Sequence, residues 1–268
     1  MGVSTLFRED LKSRSSSALA GVLLLVAGVV YGLLQTFNTA YLNNMALFGQ
    51  LMTTPLTPIA PLVAVLLGCV PIYRSVHSRH LANIRSRIDV REYVGAKLLA
   101  CAVVAFAFFF IFSLLQFTVA VVVWPALGNP GLDPALYGMN QTQAEAAAQI
   151  DSSYSSLLRN GAFFYGLAYS AWLGLGGALY SLLGAISLFV LPSLSLALLA
   201  PFLIYIGETV VVAQLGVPQG ALMYSLFPFG LTQIPTLVAA APQLVLLLGL
   251  GVGCALLLHE LPQLERAS

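Results

Sequence analysis

Residues 74–125 read RSVHSRHLANIRSRIDVREYVGAKLLACAVVAFAFFFIFSLLQFTVAVVVWP. The first part carries Arg74, Arg79, Arg85, Arg87, Arg91 and Lys97 against only Asp89 and Glu92. From Leu98 onward the stretch has no charged side chain. A helix needs about 20 mostly apolar residues to cross the hydrocarbon core of a bilayer, and charge is costly inside that core. The junction at Lys97 therefore marks a membrane surface.

The same reading extends in both directions. Residues 15–73, 98–132, 160–207 and 209–259 contain no Asp, Glu, Lys or Arg. Hydrophobic residues make up 59% and charged residues 8%, against roughly 25% charged in soluble domains. The mean hydropathy is +0.91. A soluble fold of this length has too much surface relative to volume to hide so much apolar area, so lipid must cover the rest. That leaves one compact unit with no room for an added soluble catalytic domain. The formal net charge of +1 argues against a nucleic-acid partner. Cys69, Cys101 and Cys254 lie in apolar segments without metal-ligand spacing and read as small core residues.

The apolar runs predict six spans, at about 17–36, 59–73, 94–124, 161–184, 187–208 and 236–258. The run Ala18–Phe37 exceeds the ~7–15 residues of a signal-peptide core and reads as a retained first span. Trp124–Pro125, an interfacial aromatic beside a helix breaker, ends the third. Gly184–Ser187 is expected to turn between the fourth and fifth. Six spans put both termini on one side. Every Lys and Arg except Arg159 falls in the N-terminal tail, in 74–97 or at Arg266, which puts that side in the cytoplasm.

The expected fold is all-α and polytopic: a single transmembrane domain over 1–268, both termini cytoplasmic. It has a cytoplasmic amphipathic N-tail (1–16) and a cytoplasmic basic segment (74–93). An external loop (125–160) contains one helix, and 209–235 is an external re-entrant segment. Gly216, Pro218, Gly220, Pro228 and Pro235 break that last piece, and irregular backbone at membrane depth must be shielded by protein; an ordinary surface loop is the other reading. Thr142 and Glu145 have capping-box spacing ahead of an Ala-rich run.

Several residues invite functional readings. Leu81, Ile84 and Ile88 form a short apolar stripe in the basic segment. Asp89 and Glu92 are spaced as an N-cap and its partner. A stubby helix there either docks a cytoplasmic partner or merely sets topology against anionic lipid. Val3, Phe7 and Leu11 share a face in the tail, fit for lying on the inner leaflet. Gly166, Ser170, Gly174 and Ala178, then Gly177, Ser181 and Ala185, and Gly249 with Gly253, are small residues that permit close helix approach. They serve packing within the bundle or a homodimer seam.

Glu208 is the one acid within an expected span, at the outer end of the fifth; it is functional if buried and merely solvated if at the interface. A later start to the fifth helix would bring it deeper. Gln116 reads as a helix–helix hydrogen-bonding residue. Tyr165, Tyr169 and Trp172 share a face that either lines an apolar path or anchors the bilayer surface. There is no G-x-x-x-x-G-K-[ST] loop and no H-E-x-x-H, and His77, His80 and His259 form no evident ligand set. No catalytic, metal or cofactor site is expected on this chain.

The pattern resembles the permease subunits of ABC-2 type transporters. Arg91–Glu92–Tyr93–Val94–Gly95–Ala96–Lys97–Leu98–Leu99 is similar to the family's Arg-Glu…Gly-Lys-Leu lead into its third helix. Tyr224–Ser225–Leu226–Phe227–Pro228–Phe229 is similar to its outer Ser/Pro-rich re-entrant piece. Upstream of Arg91, Ser75–Val76–His77–Ser78–Arg79–His80 replaces the family's acidic and Gly-Thr pattern.

The resemblance implies a type V exporter-like permease fold in the inner (cytoplasmic) membrane of a bacterium. It implies two permeases, a second copy or a paralogue, over two ATPase subunits that hold ATP and Mg. The coupling segment would comprise Ser78, Arg79, His80, Leu81, Ile84, Arg85, Arg87 and Ile88. Gln116, Tyr165, Tyr169, Trp172 and Glu208 are the candidates for the translocation path. The expected cargo is hydrophobic or amphiphilic: a drug, a peptide or a lipid-like molecule. A non-transporting immunity or sensing subunit shares the topology. An ion-coupled secondary transporter would need more ionisable residues at mid-membrane than Glu208 alone.

Overall fold

The computed structural model describes residues 15–36, 39–77, 90–150, 154–191, 193–229 and 234–267. The N-tail with Val3, Phe7 and Leu11, the whole of the coupling segment Ser78–Ile88, and Asp89 lie outside the described residues.

The helices are α1 (Ser15–Thr36), α2 (Asn44–Met52), α3 (Leu56–His77), α4 (Val90–Thr118), α5 (Gln141–Ala148), α6 (Ala162–Val190), α7 (Leu194–Gln214), α8 (Leu222–Leu226) and α9 (Thr236–Ala267). Among the described residues there is no strand, only an isolated bridge between Tyr41 and Leu132. Among the described residues, five stretches are long and apolar enough to cross a membrane: Leu19–Thr36, Val90–Ala126, Ala162–Val190, Leu194–Gln214 and Thr236–His259. A sixth crossing is formed if Asn44–Met52 and Leu56–Val70, bent by 56°, count as one.

α6 is the central helix because its sequence is small on the faces that meet neighbours. Gly166 sits on Phe117, Gly174 against the Phe106 carbonyl, Gly177 on Phe109 and Gly184 on Val65 and Cys69. Each contact is too close for a Cβ to be added without a shift. Lipid tails are as apolar as leucine side chains, so close van der Waals packing replaces the hydrophobic effect as the force between helices. Polar links reinforce it. Ser170 Oγ donates to Ser113 Oγ (3.1 Å), Ser181 Oγ to the Cys101 carbonyl (3.3 Å), and Cys101 Sγ to the Gly68 carbonyl (2.8 Å). The small rows on α6 thus serve packing within the bundle. On α1, Gly21, Gly28 and Gly32 admit Phe108, Phe112 and Leu51, while Leu19, Leu23, Val26, Val30 and Leu34 are exposed on the other side. Leu237, Val245, Leu248, Val252 and Leu256 are likewise exposed on α9. These one-sided apolar faces suit contact with lipid.

Three boundaries differ from the sequence expectation. No turn forms at Gly184–Ser187. α6 continues to Val190, Ser187 Oγ bonds back to the Leu183 carbonyl at 2.8 Å, and the break falls at 191–193, where Ser193 caps α7. Gly184 is small for helix contact, not for turning. The helix in the external loop is capped by Asn140, whose side chain accepts from Gln143 N while Gln143 Oε1 accepts from Asn140 N; Thr142 and Glu145 sit inside it. Finally, the stretch Asn38–Pro58, which reads in sequence as a polar link with turn formers, contains α2, with Asn43 Oδ1 accepting from Ala46 N at 2.8 Å as its N-cap.

α4 continues through a π-turn, Val119–Val123, into Trp124–Ala126. The Trp124 N–H reaches the Val119 carbonyl, one residue further back than in an α-helix. Pro125 follows immediately; its ring clashes with the carbonyl four residues back and it has no N–H to give, and a widened turn relieves that clash. The resulting 37-residue crossing is about 55 Å long at 1.5 Å per residue. It exceeds a hydrocarbon core of about 30 Å, which is long enough for a crossing helix to carry the charged first turns of α4 beyond the lipid.

Contacts sort the connections to two ends. At one, Tyr41 N donates to the Gly131 carbonyl (3.0 Å) and Asp133 N to the Tyr41 carbonyl (3.2 Å). Tyr41 Oη and Trp124 Nε1 converge on the Pro130 carbonyl at 2.9 and 3.0 Å, and Asn43 Nδ2 donates to the Ala144 carbonyl at 2.8 Å. Ser156 and Thr236 hydroxyls meet at 3.1 Å. At the opposite end, an Arg91 guanidinium nitrogen lies 3.4 Å from the His259 carbonyl and Lys97 Nζ lies 5.3 Å from the Tyr93 ring centre. We call these the loop end and the charged end.

Candidate functional site

Two short elements, α2 and the α8 piece Leu222–Phe229, interlock at the loop end on the flank of α6. Phe48 of α2 is their meeting point. It is fully buried, edge-on to Phe117 (5.5 Å), Tyr165 (6.3 Å), Tyr169 (5.6 Å) and Phe229 (5.5 Å). Edge-to-face geometry suits the ring quadrupole and adds about 0.5–1.5 kcal/mol per pair beyond area burial. Gly49 faces the Phe229 ring so closely that a Cβ would lie 2.9 Å from it. Tyr165 and Tyr169, one helical turn apart, stack at 6.0 Å with an interplanar angle of 5°.

The α8 piece has few internal backbone bonds, and its carbonyls are taken by side chains. Tyr169 Oη donates to the Leu226 carbonyl (2.6 Å), while Trp172 Nε1 and Tyr154 Oη both donate to the Ser225 carbonyl (2.9 Å each). Gln243 Nε2 on α9 donates to the Trp172 carbonyl at 3.0 Å. Irregular backbone can lie away from water in this way, because protein donors satisfy its carbonyls. A clasp results, in which α6 and the 154–160 turn hold α8.

Glu208 holds the clasp from the other side. It lies in α7, six residues before Gln214, and its Oε2 accepts the Leu222 N–H at 3.0 Å. The first residues of the expected re-entrant segment, Thr209–Gln214, are helical and belong to α7. The helix starts seven residues later than the sequence suggested and ends later in step, which draws Glu208 into the bundle. Nearby, Tyr205 Oη donates to the Thr57 carbonyl at 3.1 Å and its ring meets Tyr180 edge-on at 5.4 Å.

Gln116 is fully buried at the α1–α2–α4 junction. Its Nε2 lies 3.5 Å from the Gly28 carbonyl and 3.4 Å from the Leu51 carbonyl, and its Oε1 has no protein partner. It does join helices, as its sequence position suggests.

The structure thus gathers Tyr165, Tyr169 and Trp172 into one cluster. It puts Glu208 on the far side of α8 and Gln116 under α2. The cluster is close-packed. Phe48, Tyr154, Phe229 and Gln243 belong to it and escaped the list of path residues. For Phe48 a signal exists, since Asn43–Asn44 ahead of MALFGQLM is a capped apolar helix by composition.

Two expected results follow. Tyr169→Phe and Trp172→Phe each remove a donor worth ~1–1.5 kcal/mol. Hydrogen–deuterium exchange over residues 222–229 is expected to quicken about five- to tenfold for each, and unchanged exchange would contradict the clasp. Burial also pushes the Tyr154 hydroxyl up to about 12 from the ordinary 10.0. Unfolded tyrosine releases its proton near pH 10. The stability carried by the neutral hydroxyl is therefore complete below pH 10 and declines from pH 10 to 12, by about 3 kcal/mol at ~1.36 kcal/mol per unit. Tyrosinate absorbance of the wild type minus Tyr154→Phe should show this late titration; a difference curve centred at 10 would refute it.

Among the described residues no group of three or more His, Cys, Asp or Glu side chains is arranged to hold a metal ion. Comparison of the chain with family models, curated proteins and solved structures gave no match.

Proposed function

We propose that this chain is the membrane-spanning permease subunit of an ABC-2 type transporter, moving a hydrophobic or amphiphilic cargo outward with ATP hydrolysed on a partner subunit. The observation that carries the reading is the clasp. Two short elements, α2 and α8, close one end of the α4–α6 core: Tyr154, Tyr169 and Trp172 bond the α8 carbonyls, and Phe48 packs α2 against Phe117, Tyr165 and Tyr169. Such an end is built to open and reseal. Its elements are short, its backbone is held by a few replaceable side-chain bonds, and its filling is aromatic. An aromatic seal lets an apolar molecule past without uncompensated desolvation, whereas a multiply charged cargo would need countercharges along the way.

In this reading the charged end faces the cytoplasm, as the Lys/Arg bias directs, and the loop end faces outward. The coupling segment, Ser78–Ile88, docks a cytoplasmic ATP-binding cassette protein that holds ATP and Mg. Closure of a pair of these ATPases tilts α3 and α4, which flank the segment. α4 carries Phe117 directly against Phe48, so a tilt there loosens the seal at the opposite end. A second copy or a paralogue of this chain completes the path. The membrane is a bacterial inner membrane.

The direct test is capture of the tagged chain from native membranes in mild detergent, followed by mass spectrometry. Co-capture of an ATP-binding cassette protein, with cargo movement that stops when its Walker Lys is replaced, is the expected result. A chain that purifies alone and moves cargo without nucleotide hydrolysis overturns the reading.

A further inference from the structure

The connection that follows the α4 crossing changes chemistry partway. Its helix α5 is polar, with Gln141, Gln143 and Glu145 exposed. The short 3-10 turn just before it, Pro134–Tyr137, is apolar: Leu136 is 70% exposed, and Tyr137 and Met139 are exposed beside it. Asp133 is the only charged residue between Leu98 and Ala144. Its carboxylate is turned back on the chain, where it accepts from Ala135 N at 3.1 Å. Single apolar side chains are ordinary on a wet surface. Three within four residues, with no charge among them, form a patch that calls for an apolar neighbour.

The turn is closed on itself. Leu136 N donates to the Asp133 carbonyl (3.3 Å), Gly138 N to the Ala135 carbonyl (3.0 Å) and Met139 N to the Pro134 carbonyl (3.1 Å). The last two bonds, with Gly138 at φ 67°, are the Schellman closure of a helical turn. Asp133 N is taken by the Tyr41 carbonyl at 3.2 Å, and Pro134 has no N–H to satisfy. Backbone donors bonded within the protein are what a segment needs in order to sit in a layer poor in water.

The height of the turn is set by ties to the ends of two apolar crossing stretches. Tyr137 Oη donates to the Ala40 carbonyl at 3.0 Å, and Ala40 follows Thr36, the end of the α1 stretch, by four residues. Four residues of chain reach at most about 14 Å. On the other side, the Pro130 carbonyl accepts from Trp124 Nε1 and Tyr41 Oη, and Trp124 lies two residues before Ala126, where the α4 crossing ends. The headgroup layer adds about 5–8 Å beyond each face of the hydrocarbon core. Val122, Val123 and Leu127 are exposed along the end of that crossing, so its apolar surface runs on toward the turn.

We propose that residues 134–139 are a membrane-surface anchor, lying in the headgroup layer of the leaflet at the loop end, with Leu136 and Met139 reaching the acyl chains. The Tyr137 ring then stands at headgroup level, where aromatic rings with one polar end are enriched. Lipid is favoured over a protein partner because the patch is uncharged, small, and continuous with the apolar surface of a crossing helix at the same height. Through the Tyr41 pairing with Gly131 and Asp133, the anchor also steadies the start of α2. The inference rests on the chain crossing a membrane and is independent of the transport reading.

Met139 is a reporter already in place. The full chain is labelled with [13C-methyl]methionine and placed in phosphatidylcholine nanodiscs, and Met139→Leu assigns the signal. Two broadening agents are compared: a phosphatidylcholine carrying a nitroxide near the top of its acyl chain, and a water-soluble gadolinium chelate. Ala146→Met, on the exposed face of α5, supplies the water reference, and the fully buried Met52 reports that the fold is intact. The ratio of nitroxide to gadolinium broadening at Met139 is expected to be at least threefold that at Ala146→Met. Leu136→Glu puts a charge where the acyl chains would be, and should bring the Met139 ratio down to the water reference while the Met52 signal stays in place. A wild-type Met139 ratio equal to the water reference would mean a hydrated turn. A Met139 signal that neither agent broadens would mean cover by protein, such as a second copy of this chain. Either result, or a Met139 ratio unmoved by Leu136→Glu, overturns the proposal.

Discussion

Gly68→Val is expected to cost the protein its native packing, while Gly249→Val should leave it intact. A Cβ at Gly68 would collide with Ser181 Oγ and lie 3.3 Å from the Cys101 carbonyl. Neither neighbour has room to yield. Ser181 is fully buried and bonded to the Cys101 carbonyl, Cys101 Sγ is bonded back to the Gly68 carbonyl, and Cys69 Sγ lies 3.1 Å from the Ser181 carbonyl. α3, α4 and α6 are locked through this one knot of small residues. Overpacking a well-filled core costs about 1–3 kcal/mol, and more when backbone must move; a branched side chain at a three-helix contact belongs at the upper end. Gly249, by contrast, is exposed on α9 with nothing within 4 Å of an added Cβ. Valine there meets lipid and also removes a glycine from a helix interior, where glycine is unfavourable by ~1 kcal/mol. Thermal unfolding in detergent should show a large drop for the first variant and a change near zero for the second. Equal behaviour of the two would contradict the α3–α4–α6 arrangement.

The second large effect concerns coupling. Arg85→Glu with Arg87→Glu is expected to reduce stimulated ATP hydrolysis by the partner at least tenfold, or to release the partner altogether, while thermal unfolding of this chain stays as in the wild type. The double reversal changes four units of charge on a short segment flanked by α3 and α4. Like-charge juxtaposition at an interface costs several kcal/mol, and tenfold corresponds to about 1.4 kcal/mol. The same reversal on a solvated face changes stability by within about 0.5 kcal/mol. Arg85→Lys with Arg87→Lys should retain most of the coupling. If the reversed variant co-purifies and hydrolyses ATP as the wild type does, docking through this segment is wrong. The clasp variants then separate the two ends of the proposed mechanism: Tyr169→Phe is expected to loosen the loop end and to leave binding of the proposed partner unchanged.

Much of the architecture was legible in the linear sequence. α1, α3 and the apolar stretch Thr236–His259 of α9 lie within a few residues of the expected spans, because a continuous apolar run between charges leaves a spanning helix little freedom, while α9 itself runs on to Ala267. The stretch that begins with α4 starts at Val90 in the charged segment and, through the π-turn, ends at Ala126, just past the expected Trp124–Pro125 stop. The divide between α6 and α7 was misplaced, because Gly184 and Ser187 suit both a turn and a helix contact, and composition does not distinguish those uses. α2 was hidden in a polar-looking link, although Asn43 was a recognisable cap. The tyrosines and Trp172 of α6 stood out as a face, yet their partners on α8 were invisible, since a side chain reaching a carbonyl 50 or more residues away leaves no local trace.

What the sequence alone determined is the solvent: four long stretches without charge, bounded by basic clusters, commit this chain to helices compatible with repeated membrane crossing. Transfer free energy is a property of each residue and adds along the chain, so it can be read in order. What only the tertiary structure decided is which small residues touch, which end carries the clasp, and that Glu208 holds the Leu222 amide. Packing and hydrogen bonding in a uniformly apolar solvent depend on the shape and position of a partner from elsewhere in the chain, and among helices all made of Leu, Val, Ala and Gly the hydropathy of either partner does not reveal the match.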